Sequence, residues 1–238
     1  VVVVNDGGAS VAEAIREITN VTLVENAAPG GRSAAMNTAV DRAKTEWIAF
    51  LDDDDLYYPE HLATLTASAA ATDAAGWYTD AVSTIHTIGE SGVPEAHARL
   101  RSYTRDFDRD LLLFDNYIPL PTLLMRKRDF LRAGGFDPAF DLFEDWDFII
   151  RLARLGPLVR VPRITCEIRH FRGSASTMLD NPVGSTGYRD AKLRVWRKHG
   201  ALDSPERVLT VFEGLKQSAA GASNRLQEEI GRAEFLEN

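Results

Sequence analysis

Apolar positions along the first half of the chain alternate between short unbroken runs and helical spacing. Residues 1–4 form a uniformly β-branched run, as expected of a strand buried on both faces. Asn5-Asp6-Gly7-Gly8 breaks that run. Ser10, with Glu13 three residues on, then forms a capping box for a helix whose apolar side is Val11, Ala14, Ile15 and Ile18. Residues 21–24 read as a second strand, Pro29-Gly30-Gly31 as a turn, 33–44 as a helix and 47–51 as a third buried strand. After the run Asp52-Asp53-Asp54-Asp55, Pro59 suits the first turn of a helix reaching Ala71, and 76–85 is a strand. This alternation predicts an α/β fold with a mostly parallel central sheet flanked by helices.

From 86 to 115 the pattern weakens into Gly, Pro and scattered charge, which predicts a long variable connection. A strand at 122–126 is followed by a short helix that stops at Gly134-Gly135. Residues 144–155 are a helix with Phe148, Ile149, Leu152 and Leu155 at helical spacing, and 158–168 are a strand. Beyond Tyr188 most of the chain reads as helical, and 206–236 is amphipathic and polar. The expected division is an α/β domain over 1–180 and a C-terminal helical extension or linker over 181–238.

At 238 residues the chain suits one large α/β domain with a helical appendage. Its 27 basic and 35 acidic residues give a net charge of −8, which argues against nucleic acid as a partner. One small anionic ligand held through a cation remains compatible with that charge. The single cysteine, Cys166, excludes an intrachain disulfide and a cysteine-based zinc site, and fits a reducing compartment. A cytoplasmic location, alone or peripheral to the inner face of a membrane, is therefore the expectation. The chain opens inside an apolar run without Met, which reads as a piece of a longer polypeptide whose further domains are expected partners.

Ligands of open α/β sheets bind beyond the carboxyl ends of the strands. Asp6 follows the first strand and Asp52, Asp53, Asp54 and Asp55 follow the third. Consecutive carboxylates repel one another unless a cation or solvent relieves them. Mg2+ and Mn2+ prefer oxygen ligands, and Mg2+ commonly bridges carboxylates to substrate phosphates. A solvated acidic loop is the alternative, but the position directly after a buried strand favours a metal.

Five motifs in order resemble the family 2 glycosyltransferases, which have the GT-A fold. They are Val3-Val4-Asn5-Asp6-Gly7-Gly8, Gly30-Gly31-Arg32-Ser33-Ala34-Ala35-Met36-Asn37, Phe50-Leu51-Asp52-Asp53-Asp54-Asp55, Gly134-Gly135-Phe136-Asp137, and Glu144-Asp145-Trp146-Asp147 with Arg151. Order and spacing agree over residues 1–176. The resemblance implies a GT-A-like nucleotide-diphospho-sugar transferase fold and a UDP-sugar donor, with Mn2+ or Mg2+ as cofactor. Asp6 would accept hydrogen bonds from the nucleotide base, and Arg32 would contact base or phosphate. Asp54 would meet ribose or metal, Asp55 would bind the metal that bridges the diphosphate, Asp52 would support the site, and Asp53 has no assigned role. Glu144 joins the donor-binding residues. Asp145 matches the catalytic base, which takes the proton of the acceptor hydroxyl during an inverting displacement. The metal neutralises charge growing on the diphosphate. Acidic residues at a helix start are also favourable in themselves, which is the structural alternative for Glu144 and Asp145.

His170 lies where related enzymes place a histidine near the metal or diphosphate, against the alternative of a surface histidine. Trp146 would line an acceptor pocket or pack in the core. His61, His86, His97 and His199 receive no role. The acceptor would be a glycan, a lipid-linked or a protein hydroxyl. Two features depart from the family pattern: a preceding strand, turn and helix are absent, and a common Arg-Asn pair is Met36-Asn37 here. An aspartyl-nucleophile phosphatase is disfavoured because Leu56 stands where a Thr or Val is needed, and an all-helical isoprenoid synthase because of the strands. The non-enzyme alternative is a domain of a larger protein that binds nucleotide-sugar or serves as scaffold.

Overall fold

The computed structural model describes residues 1–89, 92–171 and 183–219. The chain divides into two compact units, Val1–Val195 and Trp196–Asn238. In the first unit, β1 (Val2–Asn5) and β2 (Thr22–Glu25) form a parallel pair with Val2 opposite Thr22. Between them α1 (Ala12–Ile15) is a single turn with no buried residue. The capping box does not form, since Ser10 Oγ accepts only from the Ala12 N–H, at 3.3 Å. Ile18 is 57% exposed. A helix that short gains little from propensity, and without a surface to cover its apolar stripe it does not propagate.

α2 (Arg32–Arg42) buries Ser33, Met36 and Val40, and leads to β3 (Trp47–Ala49). The acidic turn follows, then the two-residue β4 (Leu56–Tyr57) and α3 (His61–Ala71). A long central strand, β5 (Gly76–Ile88), continues into β6 (Pro94–Tyr103). α4 (Arg109–Leu112) is capped by the Asp108 carboxylate, which accepts from the N–H groups of Asp110 and Leu111. A 3-10 turn at Leu120–Thr122 precedes β7 (Leu123–Arg126), α5 (Lys127–Arg132), α6 (Glu144–Ala153), β8 (Leu158–Phe171) and α7 (Thr186–His199).

The larger sheet has the order β3-β7-β5-β8-β4, with β6 also paired to β5. The α/β class stands, but the expected mostly parallel ordering is corrected. Among the described residues, only β5 and β8 of this sheet run parallel, while β3–β7, β5–β7, β4–β8 and β5–β6 are antiparallel. Parallel neighbours need a crossover of a dozen or more residues, which the long connection between β5 and β8, through β6, α4, β7, α5 and α6, provides. β6 instead returns directly from β5, with the Gly89 N–H donating to the Val93 carbonyl at 3.0 Å. This hairpin occupies much of the segment expected to be a loose connection. β6 is exposed at nearly every position, so it has no buried face to impose an apolar alternation on the sequence.

Among the described residues, a mostly aliphatic and an aromatic cluster pack the first unit. Leu65, Ala69, Ala74, Trp77 and Leu124 form one, with Trp47 and Val159 against them. The other is aromatic: Phe136 packs within 5.4 Å, centroid to centroid, of Phe50, Phe130 and Phe148. Burial of each such ring contributes roughly 1.5–3 kcal/mol. This second cluster ties α5 and α6 to the strand that ends in the acidic turn.

In the second unit, residues 205–219 are helical, with Leu209, Phe212 and Leu215 exposed. Positions 220–236 of the expected amphipathic stretch lie outside the described residues, as do Arg172, Gly173 and Ser174. Among the described residues, no helix is long and apolar enough to cross a membrane.

Candidate active site

The chain leaves β3 into a tight turn in which the Asp55 N–H donates to the Asp52 carbonyl at 3.2 Å. Two further bonds strap this turn to the end of β8. The Arg169 backbone N–H donates to Asp55 Oδ1 at 3.0 Å, and Arg169 Nε donates to the Asp54 carbonyl at 2.5 Å. β4 continues the strap, with Leu56 opposite Glu167 and Tyr57 opposite Cys166. As a result Asp52, Asp54 and Asp55 each place one carboxylate oxygen within 4.8 Å of the others, and Asp53 stands outside the group. Oxygen ligands about 2.1 Å from Mg2+ or Mn2+ lie at most about 4.2 Å apart, so this trio fits a hard divalent cation after small side-chain rotations. Burial pushes Asp55 up to about 7, with the charges of Asp54 and Asp52 adding to the rise and the Arg169 N–H opposing it. Burial also raises Asp54.

Arg32, the first residue of α2, joins this turn to α6. Its Nη2 meets Asp52 Oδ2 at 2.5 Å, and its Nη1 donates to Glu144 Oε1. Burial works against the guanidinium charge, but the carboxylates of Asp52, Glu144 and Asp145 outweigh it and raise the group further. Glu144, Asp145 and Asp147 occupy the first turn of α6, where the helix dipole favours negative charge. Phe143, just before them, adopts φ 67° and ψ 25°, a left-handed conformation uncommon for a residue with a side chain. Edge-on packing of its ring against Trp146 at 5.4 Å and Tyr188 at 5.2 Å secures that conformation.

Asp145 is held by the Trp146 N–H at 2.7 Å and by Asn116 Nδ2, which lies 3.3 Å from Oδ1 and 3.4 Å from Oδ2. Burial raises its carboxyl, against the lowering influence of Arg32. Asn116 escaped the sequence reading. It sits in a stretch without periodicity, and only the fold brings it to α6. Its Oδ1 is buried and has no hydrogen-bond partner among the described residues.

Asp6 is placed differently. Its oxygens accept from Asn26 Nδ2 at 2.7 Å, the Gly30 N–H at 2.9 Å and the Gly31 N–H at 2.8 Å, and these bonds hold its carboxyl below the usual range. Asp6 thereby fixes the turn from which Arg32 enters α2. The turn needs glycine at position 31, where φ is +88°, and Gly7 backs it so closely that a Cβ there would lie 2.7 Å from Pro29.

His170 is outside the carboxylate trio among the described residues. Its Nε2 lies 2.9 Å from Ser83 Oγ, burial lowers its imidazole, and the charge of Asp54 partly opposes that. Trp146 is 1% exposed and donates its Nε1–H to the Leu112 carbonyl at 2.6 Å, which places it in the core rather than in an acceptor pocket.

Several motif residues prove structural. Asn37 accepts from the Phe136 N–H and donates to the Phe136 carbonyl, both at 2.9 Å, which docks α2 on the loop between α5 and α6. Gly135 has φ +63°, and a Cβ there would sit 2.7 Å from Asn37 Oδ1. Arg151 donates through Nε and Nη2 to the fully buried Asp147 and through Nη1 to the Ala133 carbonyl. These contacts place Glu144 and Asp145 opposite the acidic turn.

A family profile described as Glycosyl transferase family 2 matches residues 1–134, more than half of the 238. The chain is 27% identical over 216 residues to the uncharacterized glycosyltransferase YwdF of Bacillus subtilis, covering 89% of this chain and 77% of that protein. It is 24% identical over 174 residues to an uncharacterized glycosyltransferase of Haemophilus influenzae, covering 71% and 58% respectively. Among solved structures, S. aureus TarS 1-349 in complex with UDP-GlcNAc superposes with a TM-score of 0.57 at 16% identity, covering 82% of this chain and 55% of that one. The same protein in complex with UDP gives 0.53 at 18% identity, covering 71% and 50%. The chain thus spans about half the length of these TarS structures, and the likeness is one of fold, which is GT-A-type.

Proposed function

The chain belongs to glycosyl transferase family 2, and we propose that it moves a sugar from a UDP-sugar to an acceptor hydroxyl by an inverting displacement with Asp145 as general base. The observation that carries this reading is the half-buried carboxylate of Asp145, oriented by Asn116 and Trp146 and joined through Arg32 and Glu144 to the acidic turn. In the step itself, Asp145 takes the acceptor hydroxyl proton as that oxygen bonds to the anomeric carbon. The bond from the anomeric carbon to the diphosphate oxygen breaks, and its electron pair leaves with UDP. A carboxyl raised by burial suits a base that works near neutral pH.

Asp54 and Asp55, supported by Asp52, would hold Mn2+ or Mg2+, and the cation would there neutralise charge growing on the diphosphate. Arg32 keeps Asp52 and Glu144 in place beside the donor. His170, positioned by Ser83 and in the field of Asp54, completes the donor side as a neutral imidazole. Asp6 serves the base-binding end by ordering the turn at Gly30 and Gly31. This reading keeps residues 1–180 as the transferase domain, and the described helices beyond it span 186–199 and 205–219. The buried thiol of Cys166 fits a cytoplasmic setting. The TarS structures in complex with UDP and UDP-GlcNAc support a uridine donor. Calorimetry of UDP binding with and without Mn2+ tests the donor half: binding that requires the metal is expected, and metal-independent binding contradicts it.

A further inference from the structure

The β5–β6 register puts Arg101 opposite Ser83 and Tyr103 opposite Ala81. Directly opposed residues share a face of a sheet. Ser83 is the residue that holds His170, so Arg101 and Tyr103 rise from the face that carries the donor-side histidine. The Arg101 guanidinium lies 4.1 Å over the Tyr103 ring. That ring is close enough to the base and the acidic turn for Asp145, Asp55 and Asp115 to act on its phenol, although burial and Arg101 act on it more strongly. Tyr188 lies in the field of Asp115 and Arg101 as well, and its ring packs on Phe143 at 5.2 Å. Phe143 in turn packs on Trp146, the residue after Asp145.

Tyr188, Phe143 and Trp146 therefore form one ring stack at the start of α6, while Tyr103 stands on β6 with Arg101 over it. Arg32 is committed to Asp52 and Glu144. Arg101 is exposed, and among the described residues its guanidinium enters no hydrogen bond or ion pair, despite the carboxylates around Tyr103. A planar guanidinium fixed on an aromatic face and free at its edge is suited to bidentate contact with phosphate or carboxylate.

We propose that Arg101, backed by Tyr103, binds an oxyanion carried by the acceptor, so that this site favours phosphate- or carboxylate-bearing acceptors over neutral ones. The proposal rests on the reading of Asp145 as the base, because that reading makes this side of the site the acceptor side.

The test titrates 15N-labelled full-length chain, with UDP and Mg2+ present, against glycerol 3-phosphate, glucuronate, glycerol and glucose, following the Arg101 Nε–H resonance. Saturable shifts are expected with at least one of the two anions, about tenfold tighter than with the matched neutral compound, as one charge-assisted contact implies. Preference for glycerol 3-phosphate identifies phosphate as the group, and preference for glucuronate identifies carboxylate. Arg101→Gln should erase the preference while leaving UDP affinity and the unfolding midpoint unchanged, and Arg101→Lys should keep part of it. Equal binding of charged and neutral compounds, an unmoved Arg101 resonance, or a preference that survives Arg101→Gln overturns the proposal. A fall in UDP affinity in Arg101→Gln also overturns it, by moving Arg101 to the donor. Asp145→Asn leaves this titration intact, so normal turnover in that variant removes the base assignment without touching the oxyanion contact.

Discussion

Arg32→Met removes the guanidinium that joins Asp52 to Glu144 while keeping much of the apolar stem. Glu144 has a side chain only 4% exposed, against 44% for Arg32 and 31% for Asp52. Removing one partner of a fully buried pair costs about 3–5 kcal/mol and an exposed pair contributes about 0–1 kcal/mol, so this mixed case should cost about 2 kcal/mol. The sign with pH follows from Glu144. Burial, together with the charge of Asp145, already raises its carboxyl above the ordinary 4.5, and loss of Arg32 raises it further. A carboxyl raised in the folded state penalises folding where it must ionise, above its folded value, and the penalty disappears below the unfolded value. The deficit of Arg32→Met should therefore be largest near pH 8 and shrink as the pH falls toward 5. Urea unfolding without metal measures it, and with a slope of roughly 2 kcal/mol/M the midpoint at pH 8 should fall by about 1 M. A variant as stable as the parent at pH 8, or a deficit that grows on acidification, would refute the idea that Arg32 compensates a buried carboxylate.

Asn37→Ala breaks both bonds to Phe136 and should cost about 1–3 kcal/mol in unfolding experiments. A neutral result would mean that the α2 dock is held by packing alone. His61, 1% exposed and bonded at Nδ1 to Thr165 Oγ1 at 2.7 Å, is lowered by burial to about 4. The unfolded chain takes up this proton near 6.5 and the folded one only near 4, so His61 subtracts stability as pH falls through that window. An NMR titration in which His61 protonates near 6.5 contradicts this. Asp54→Asn and Asp55→Asn should each lose metal-dependent UDP binding by calorimetry while staying folded, whereas Asp53→Asn should bind as the parent does; equal losses in all three would dissolve the distinction within the run.

The acidic turn was legible in the sequence because Asp52 to Asp55 directly follow a buried strand, a position local pattern can mark. Glu144 and Asp145 were singled out by their resemblance to the family motif, and they lie in the first turn of α6. Pairings between distant segments were not legible. Nothing local says that Asn37 closes on Phe136, that Arg32 reaches both Asp52 and Glu144, or that Asn116 meets Asp145. Strand direction was misjudged because alternation of strand and helix is silent about short antiparallel returns such as β4 and β7. The hairpin of β6 left no signal, being exposed along nearly its whole length. Arg101 and Tyr103 sit on that hairpin, so the residues proposed to meet the acceptor are also the least visible in the sequence.

Asp145→Asn bears most directly on the central claim. The substitution keeps the size of the side chain and removes its ability to take a proton. Transfer from a UDP-sugar with Mn2+ present should fall by about 10²–10⁴-fold, the usual share of a general base, while calorimetric affinity for UDP and Mn2+ stays within twofold of the parent, as a rough bound for a residue outside the donor contacts. Near-normal turnover in Asp145→Asn, with donor binding intact, would remove Asp145 as the base and leave its bond to Asn116 as a feature of the fold alone.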